Sequence, residues 1–338
     1  MMTSYRKPGF WLAAFATLIA IVVVGLGAWT RLVHAGLGCP DWPGCYGFLT
    51  VPETASEIMI AEQRFPDAPV EVEKGWPEMI HRYVAGSLLL LVLGLAVSAV
   101  RNRKAEGQPL KLPLFILGLI ILQAAFGMWT VTLKLWPQVV TAHLLGGFAT
   151  LSLLALLTFR LSGAWQKVRA FSASIFQPQK LAVAALLVVV AQISLGGWTS
   201  SNYAALACPD LPTCQGQYLP PMDFSEGFDV MQSIGPNYLG GQMDNDARVA
   251  IHMAHRIGAI LTTLLLGFLT IKGLVRGAGN LKPVYGFVLG ALVLQVCLGL
   301  SNIIFYLPLS VAVAHNLGGA LLLVSVIVLN YRLRLERA

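Results

Sequence analysis

Charge is scarce in this chain. Lys, Arg, Asp and Glu together make up 12% of its 338 residues, about half the quarter that soluble domains carry. Hydrophobic residues reach 56% and mean hydropathy is +0.70. This balance excludes an ordinary soluble domain and describes an integral membrane protein. Charge is scarce at the start as well: only Arg6 and Lys7 are charged ahead of the first apolar run. No cleavable signal or transit peptide is therefore expected, which favours a bacterial plasma membrane over an organellar protein with its presequence removed. Cysteine is limited to five residues, and none stands in the short C-x-x-C spacing of thioredoxin-like redox motifs.

Long apolar runs are what the chain has instead. Segments able to span a bilayer, about 20 residues each, fall near 10–30, 82–100, 112–133, 139–160, 180–200, 250–274, 283–304 and 309–331. The reading is all-α, with eight transmembrane helices. Arg6, Lys7, Arg101, Arg103, Lys104, Lys111, Arg160, Lys167, Arg169, Lys180, Lys272, Arg276, Lys282, Arg332, Arg334 and Arg337 then share one side. Of the 16 acids, 8 fall in residues 34–78 and 6 in residues 201–249. Because short cytoplasmic loops retain Lys and Arg, both termini are expected in the cytoplasm and the two long acidic loops outside. The net charge of +7 is that same asymmetry, and no nucleic-acid partner is needed to explain it.

The chain also repeats itself. Leu26-Gly27-Ala28-Trp29-Thr30 and the Cys39-to-Cys45 segment align on Leu195-Gly196-Gly197-Trp198-Thr199 and the Cys208-to-Cys214 segment. Leu122-Gln123 with Gly127 aligns on Leu294-Gln295 with Gly299, His81-Arg82 on His255-Arg256, and His143 on His315. With four helices per unit the halves share one topology. Two tandem four-helix bundles related by a pseudo-two-fold are predicted, residues 1–165 and 166–338.

Each of the four matched histidines should then lie in the first turn or two of an inward-running helix, near the external face. Ionisable groups within spans are costly and usually functional, and two imidazoles on facing helices can clamp a haem iron. Zinc is disfavoured, because neither half offers a third ligand of similar standing. The Gly146-Gly147 and Gly318-Gly319 pairs leave room for a macrocycle or serve tight helix packing, packing being the stronger reading. Arg82, Arg256 and Arg31 are candidates for haem propionates, with lipid phosphates as the alternative for Arg82 and Arg256.

The halves differ at one telling place. Glu78 precedes His81 by one helical turn and should point into the same pocket, while its counterpart is His252. A carboxylate beside a haem can act as base or stabilise positive charge, so catalysis is placed in the first half and a resident redox haem in the second. Pairing with Arg82 is the plainer role for Glu78. His252 reads as a solvated helix-start residue, and His34, opposite Tyr203 in the repeat, as no ligand. Cys39 with Cys45 and Cys208 with Cys214 read as external disulfides, and Cys297 as a packed small hydrophobe.

These residues resemble a known family. Thr30-Arg31-Leu32, Gly36-Leu37, Cys39-Pro40-Asp41-Trp42-Pro43, Glu78-x-x-His81-Arg82, His143, His255-Arg256 and His315 together resemble haem A synthase, the oxidase-assembly enzyme. His34 departs from that pattern, where a small or polar residue is usual. The resemblance implies oxidation of the C8 methyl of haem O to the formyl of haem A through a hydroxymethyl stage. It implies a substrate haem between His81 and His143, Glu78 as the catalytic carboxylate, and a haem b between His255 and His315. Water is the expected oxygen source. The electron acceptor, a haem O synthase partner, oxidase assembly factors and homo-oligomerisation stay open. Two other classes account for part of the pattern: a dihaem b-type electron carrier, which has no need of Glu78, and a haem transporter, which would leave the macrocycle unchanged.

Overall fold

A computed structural model describes residues 6–163 and 178–335. Lys167, Arg169 and Arg337 of the charge pattern, and the 165/166 boundary between halves, lie outside the described residues. Helices α1 (Phe10–Leu32), α3 (Val72–Arg101), α4 (Lys111–Thr132), α5 (Pro137–Leu161), α6 (Gln179–Ser201), α8 (Asn245–Arg276), α9 (Lys282–Ile304) and α10 (Leu309–Leu335) are the expected eight long helices. Each is long and apolar enough to cross a membrane, and the chain is a multi-pass membrane protein. Two short helices join them, α2 (Ala55–Arg64) and α7 (Phe224–Gly227).

The boundaries depart from expectation at two places. Helices α3 and α8 begin at Val72 and Asn245, about two and a half turns before His81 and His255. Those histidines therefore sit deeper along their helices than the first turn or two. In α3 the extension runs through Gly75 and Pro77, both buried; Pro77 lies inside the helix, in its second turn, and so gives up one backbone hydrogen bond. Helix α2 lay unforeseen within the first long loop. It is set by a capping box in which the Thr54 hydroxyl accepts from the Glu57 N–H while the Glu57 carboxylate accepts from the Thr54 N–H.

Packing closes two rings of four. Helices α1, α3, α4 and α5 contact one another in cyclic order, as do α6, α8, α9 and α10, and the rings meet along α1, α5, α6 and α10. Small residues let them approach: Ala13 and Ala16 of α1 are fully buried, and so are their repeat mates Ala182 and Ala185 of α6. Under the repeat, the α1–α10 and α5–α6 contacts exchange and α5–α10 maps onto itself. Large apolar side chains such as Phe15, Leu90, Leu187, Leu264 and Phe268 face outward, as lipid solvation requires. Cys297 faces outward too, so it is not the packed core thiol expected.

The two long loops cap the same end of both rings and repeat each other in detail. Disulfides join Cys39 to Cys45 and Cys208 to Cys214. Inside the first, the Asp41 carboxylate accepts from the N–H groups of Tyr46 at 2.6 Å and Gly47 at 2.8 Å. Inside the second, Asp210 accepts from those of Gln215 at 2.6 Å and Gly216 at 3.0 Å. The second loop also reaches across the rings: the Trp136 indole donates to the Gln232 carbonyl at 3.0 Å and the Tyr238 N–H to the Lys134 carbonyl at 3.0 Å.

Candidate functional site

In each ring the two histidine-bearing helices occupy opposite corners, α3 and α5 in one and α8 and α10 in the other. His81 and His143 are thus borne on opposed helices of the first ring, and His255 and His315 on opposed helices of the second. The four imidazoles are half-buried. What supports each ring is a glycine on the preceding helix. A Cβ on Gly27 would stand 3.0 Å from Nε2 of His81, and one on Gly127 would stand 3.4 Å from Cε1 of His143. On Gly196 it would stand 3.2 Å from Cε1 of His255, and on Gly299 3.1 Å from Cε1 of His315. Every imidazole thus rests against bare backbone, and at His81, His255 and His315 a side chain there would crowd the ring.

A bis-histidine haem fits these residues. Nδ1 of His143 and of His315 are buried with no hydrogen-bond partner, an arrangement that is costly and leaves each ring open to a further partner. Among the described residues no cluster of three or more His, Cys, Asp or Glu could hold a bare metal ion. The glycine pairs are divided. Gly146 and Gly318 are covered by the side chains of Gln123 and Gln295, while a Cβ on Gly147 would meet nothing within 4 Å.

Glu78 is buried at 5% exposure, and its carboxylate is turned toward the disulfide loop. One oxygen pairs with the Arg82 guanidinium and the other accepts from the Cys39 N–H at 3.0 Å. The plain ion pair and the link to the cysteine loop are therefore both present, and neither contact is made with His81. Its counterpart His252 is not solvated but buried, with Nδ1 3.0 Å from the Ala204 carbonyl. The extended start of α8 explains the change: two extra turns of helix lie outside His252, and the Ala204 segment folds onto it.

The arginines hold loops. Arg82 donates to the Gly44 and Pro43 carbonyls as well as to Glu78. Arg256 donates to the carbonyls of Thr213 at 2.8 Å, Cys208 at 2.8 Å and Asp210 at 2.9 Å. The residue after each α3 or α8 histidine thus ties the disulfide loop to the histidine's own helix. Arg31 crosses between rings, donating to the Ser200 carbonyl at 2.7 Å with its guanidinium 3.9 Å over the Tyr203 ring, on which His34 stacks at 5.6 Å. Of the guanidinium nitrogens of Arg31, Arg82 and Arg256, Nε of Arg31 and Nε of Arg256 are buried without a partner. The local sequence points to propionates or lipid phosphates and not to these carbonyls, because nothing in it announces a loop folding back over about forty residues.

Outside the membrane spans, electrostatics stiffen the loops. Burial, with Glu71 and Glu78 adding to it, pushes the Tyr46 hydroxyl up to about 12, and it donates to the Pro69 carbonyl at 2.9 Å. The Thr213 hydroxyl and the Gly216 N–H hold the Asp210 carboxyl below its usual value.

Fold and site together define a polytopic membrane protein of two helical bundles, each with an opposed pair of histidines beneath a disulfide-bonded loop. The model of a family described as cytochrome oxidase assembly protein matches residues 10–327. Curated relatives named haem A synthase include one from Shewanella oneidensis, 47% identical over 95% of this chain and 95% of its own length. Others are from Beijerinckia indica, 28% identical over 92% and 88%, and from Wolbachia pipientis of Culex pipiens, 26% identical over 89% and 90%. The chain belongs to this haem A synthase family of cytochrome oxidase assembly proteins.

Proposed function

We propose that the chain oxidises the C8 methyl group of haem O to the formyl group of haem A, with substrate chemistry in the first bundle and electron relay in the second. The observation that carries this reading is the asymmetry at one repeated position: Glu78 precedes His81 where His252 precedes His255, on frames that share helix order and histidine placement. His81 and His143 hold the substrate haem, and His255 and His315 hold a resident haem b. When bound, that haem b supplies one-electron redox chemistry.

The overall change is balanced as methyl plus water giving formyl, four protons and four electrons. It passes through a hydroxymethyl stage and a geminal diol, and the electrons leave to an acceptor beyond this chain. Glu78 takes protons from the reacting carbon or the attacking water. Arg82 and the Cys39 N–H hold its carboxylate in place between turnovers. The free Nε groups of Arg31 and Arg256 are the remaining donors for propionates. Termini in the cytoplasm and disulfide loops outside complete the proposed arrangement, with haem O delivered through the membrane by the enzyme that makes it.

The test is acid extraction and mass analysis of haem from protein made with a source of haem O, wild type beside Glu78→Ala. Haem b with haem O, hydroxylated haem and haem A in the wild type, and accumulation at haem O in the variant, is the expected result. Unmodified haem b alone in both would overturn the assignment in favour of a dihaem carrier.

A further inference from the structure

The glycine that faces each histidine is preceded, four residues earlier on the same helix, by a position that also faces the ring. That position is Gln123 in α4, Gln192 in α6 and Gln295 in α9. In α1 it is Val23. Two of the glutamine side chains meet the histidines directly. Nε2 of Gln192 lies 3.1 Å from Nδ1 of His255 and donates to the His255 carbonyl at 3.0 Å. Nε2 of Gln295 lies 3.5 Å from Nε2 of His315.

A matching device on the histidine helix makes room for these amides. The residue three after the histidine is Gly146, Gly258 and Gly318, and a Cβ there would collide with the amide of Gln123, Gln192 and Gln295 respectively. After His81 the same place is Val84. Glutamine and glycine therefore occur together at three histidines, and valine replaces both at the fourth.

Groove filling alone does not account for glutamine, because a Leu or Met would fill the space in a membrane helix without the cost of burying an amide. A haem-bound imidazole does account for it. Ligation through Nε2 leaves the proton on Nδ1, and metal-bound histidines give that proton to an acceptor which fixes ring orientation and raises basicity. Oε1 of Gln192 and Oε1 of Gln295 are both buried with no partner; a half-turn of the Gln192 amide carries that oxygen to Nδ1 of His255, whereas the Gln295 amide stands nearer Nε2 of His315 and must shift along the ring to reach Nδ1.

We propose that Gln123, Gln192 and Gln295 are positioning residues for His143, His255 and His315, and that Val23 and Val84 leave His81 as the releasable ligand through which substrate haem enters and product leaves. This rests on the haem reading above and adds a division of labour within it. Both ligands of the second bundle are braced and keep their haem for many turnovers. The first bundle braces one ligand and frees the other, as a site that must exchange its haem requires.

The experiment uses the purified holoprotein and follows electron paramagnetic resonance, redox midpoint potential and the rate of haem transfer to apomyoglobin. Gln192→Met should keep the haem of the second bundle, shift its low-spin resonance and potential, and speed its transfer about ten- to a hundredfold. Val23→Gln with Val84→Gly should slow transfer from the first bundle by a comparable factor and reduce turnover by trapping product. Unchanged spectrum, potential and transfer rate in Gln192→Met overturn the proposal. If that variant does not fold, an unchanged transfer rate in the Val23→Gln, Val84→Gly protein overturns it alone. Failure of the underlying reading looks different: wild type without haem, or His255→Ala retaining haem b with its wild-type spectrum.

Discussion

Replacing Gly299 by alanine tests the histidine cradle against an internal control on the same helix. Gly290 and Gly299 both lie in α9. A Cβ on Gly290 would meet nothing within 4 Å, whereas one on Gly299 would stand 3.1 Å from Cε1 of His315. In both, exchanging glycine for alanine in a helix gains about 1 kcal/mol. At Gly299 the methyl intrudes by roughly half an ångström on ordinary carbon contact, and overpacking of that kind costs about 1–3 kcal/mol. Expressed wholly in haem affinity, that cost is about five- to 150-fold. Gly290→Ala should therefore match or exceed the wild type in thermal stability and retain full haem. Gly299→Ala should fold, yet lose haem to apomyoglobin faster by that factor, with a visible spectrum that departs from bis-histidine. Equal haem retention in the two variants would refute the geometry of the cradle.

Three further outcomes follow from the loops and the outer surface. Asp210 has its carboxyl held below the usual value by Thr213 and Gly216, so its contribution to loop stability is present above the unfolded value near 3.8 and is lost as pH falls through the lower folded value. Acid unfolding of the wild type, followed by tryptophan fluorescence, should accordingly lose this increment below about pH 4, and Asp210→Asn should lack it. Thr54→Ala removes the hydroxyl that caps α2 and should destabilise that helix by about 1 kcal/mol, read as faster amide exchange confined to residues 55–64. Cys297 faces outward, so Cys297→Ala should leave the melting temperature unchanged within about a degree; a drop of several degrees would place it in packing after all.

Much of the architecture was legible because lipid leaves few choices. Eight apolar runs had to be helices, and the repeat from Leu26 to Cys45 against Leu195 to Cys214 required two matched units. The histidine pairs were legible for the same reason, since imidazoles at repeat-related places in apolar helices stand out against their surroundings. Other features depended on long-range folding that spacing does not encode. Glu78 and His81 share a helical face by sequence, yet the carboxylate turns to Cys39 and Arg82 because the disulfide loop folds back over the helix. His252 reads as solvated only while α8 is assumed to start beside it; with Asn245 as the true start it is covered. Arg31 reaches Ser200 and Tyr203 of the other bundle, a contact no single-helix pattern reveals. The capping box at Thr54 and Glu57 was readable in principle, but the apolar run behind it was too short to compete with the membrane spans.

Separate His81→Ala and His255→Ala proteins, made with a source of haem O and analysed for the identity and number of haems retained, test the division between bundles most directly. His81→Ala should keep haem b and lose haem O and its oxidised products, while His255→Ala should lose haem b and bind haem O without converting it. Haem A formed by the His255→Ala protein, or haem b missing from the His81→Ala protein alone, would contradict that division.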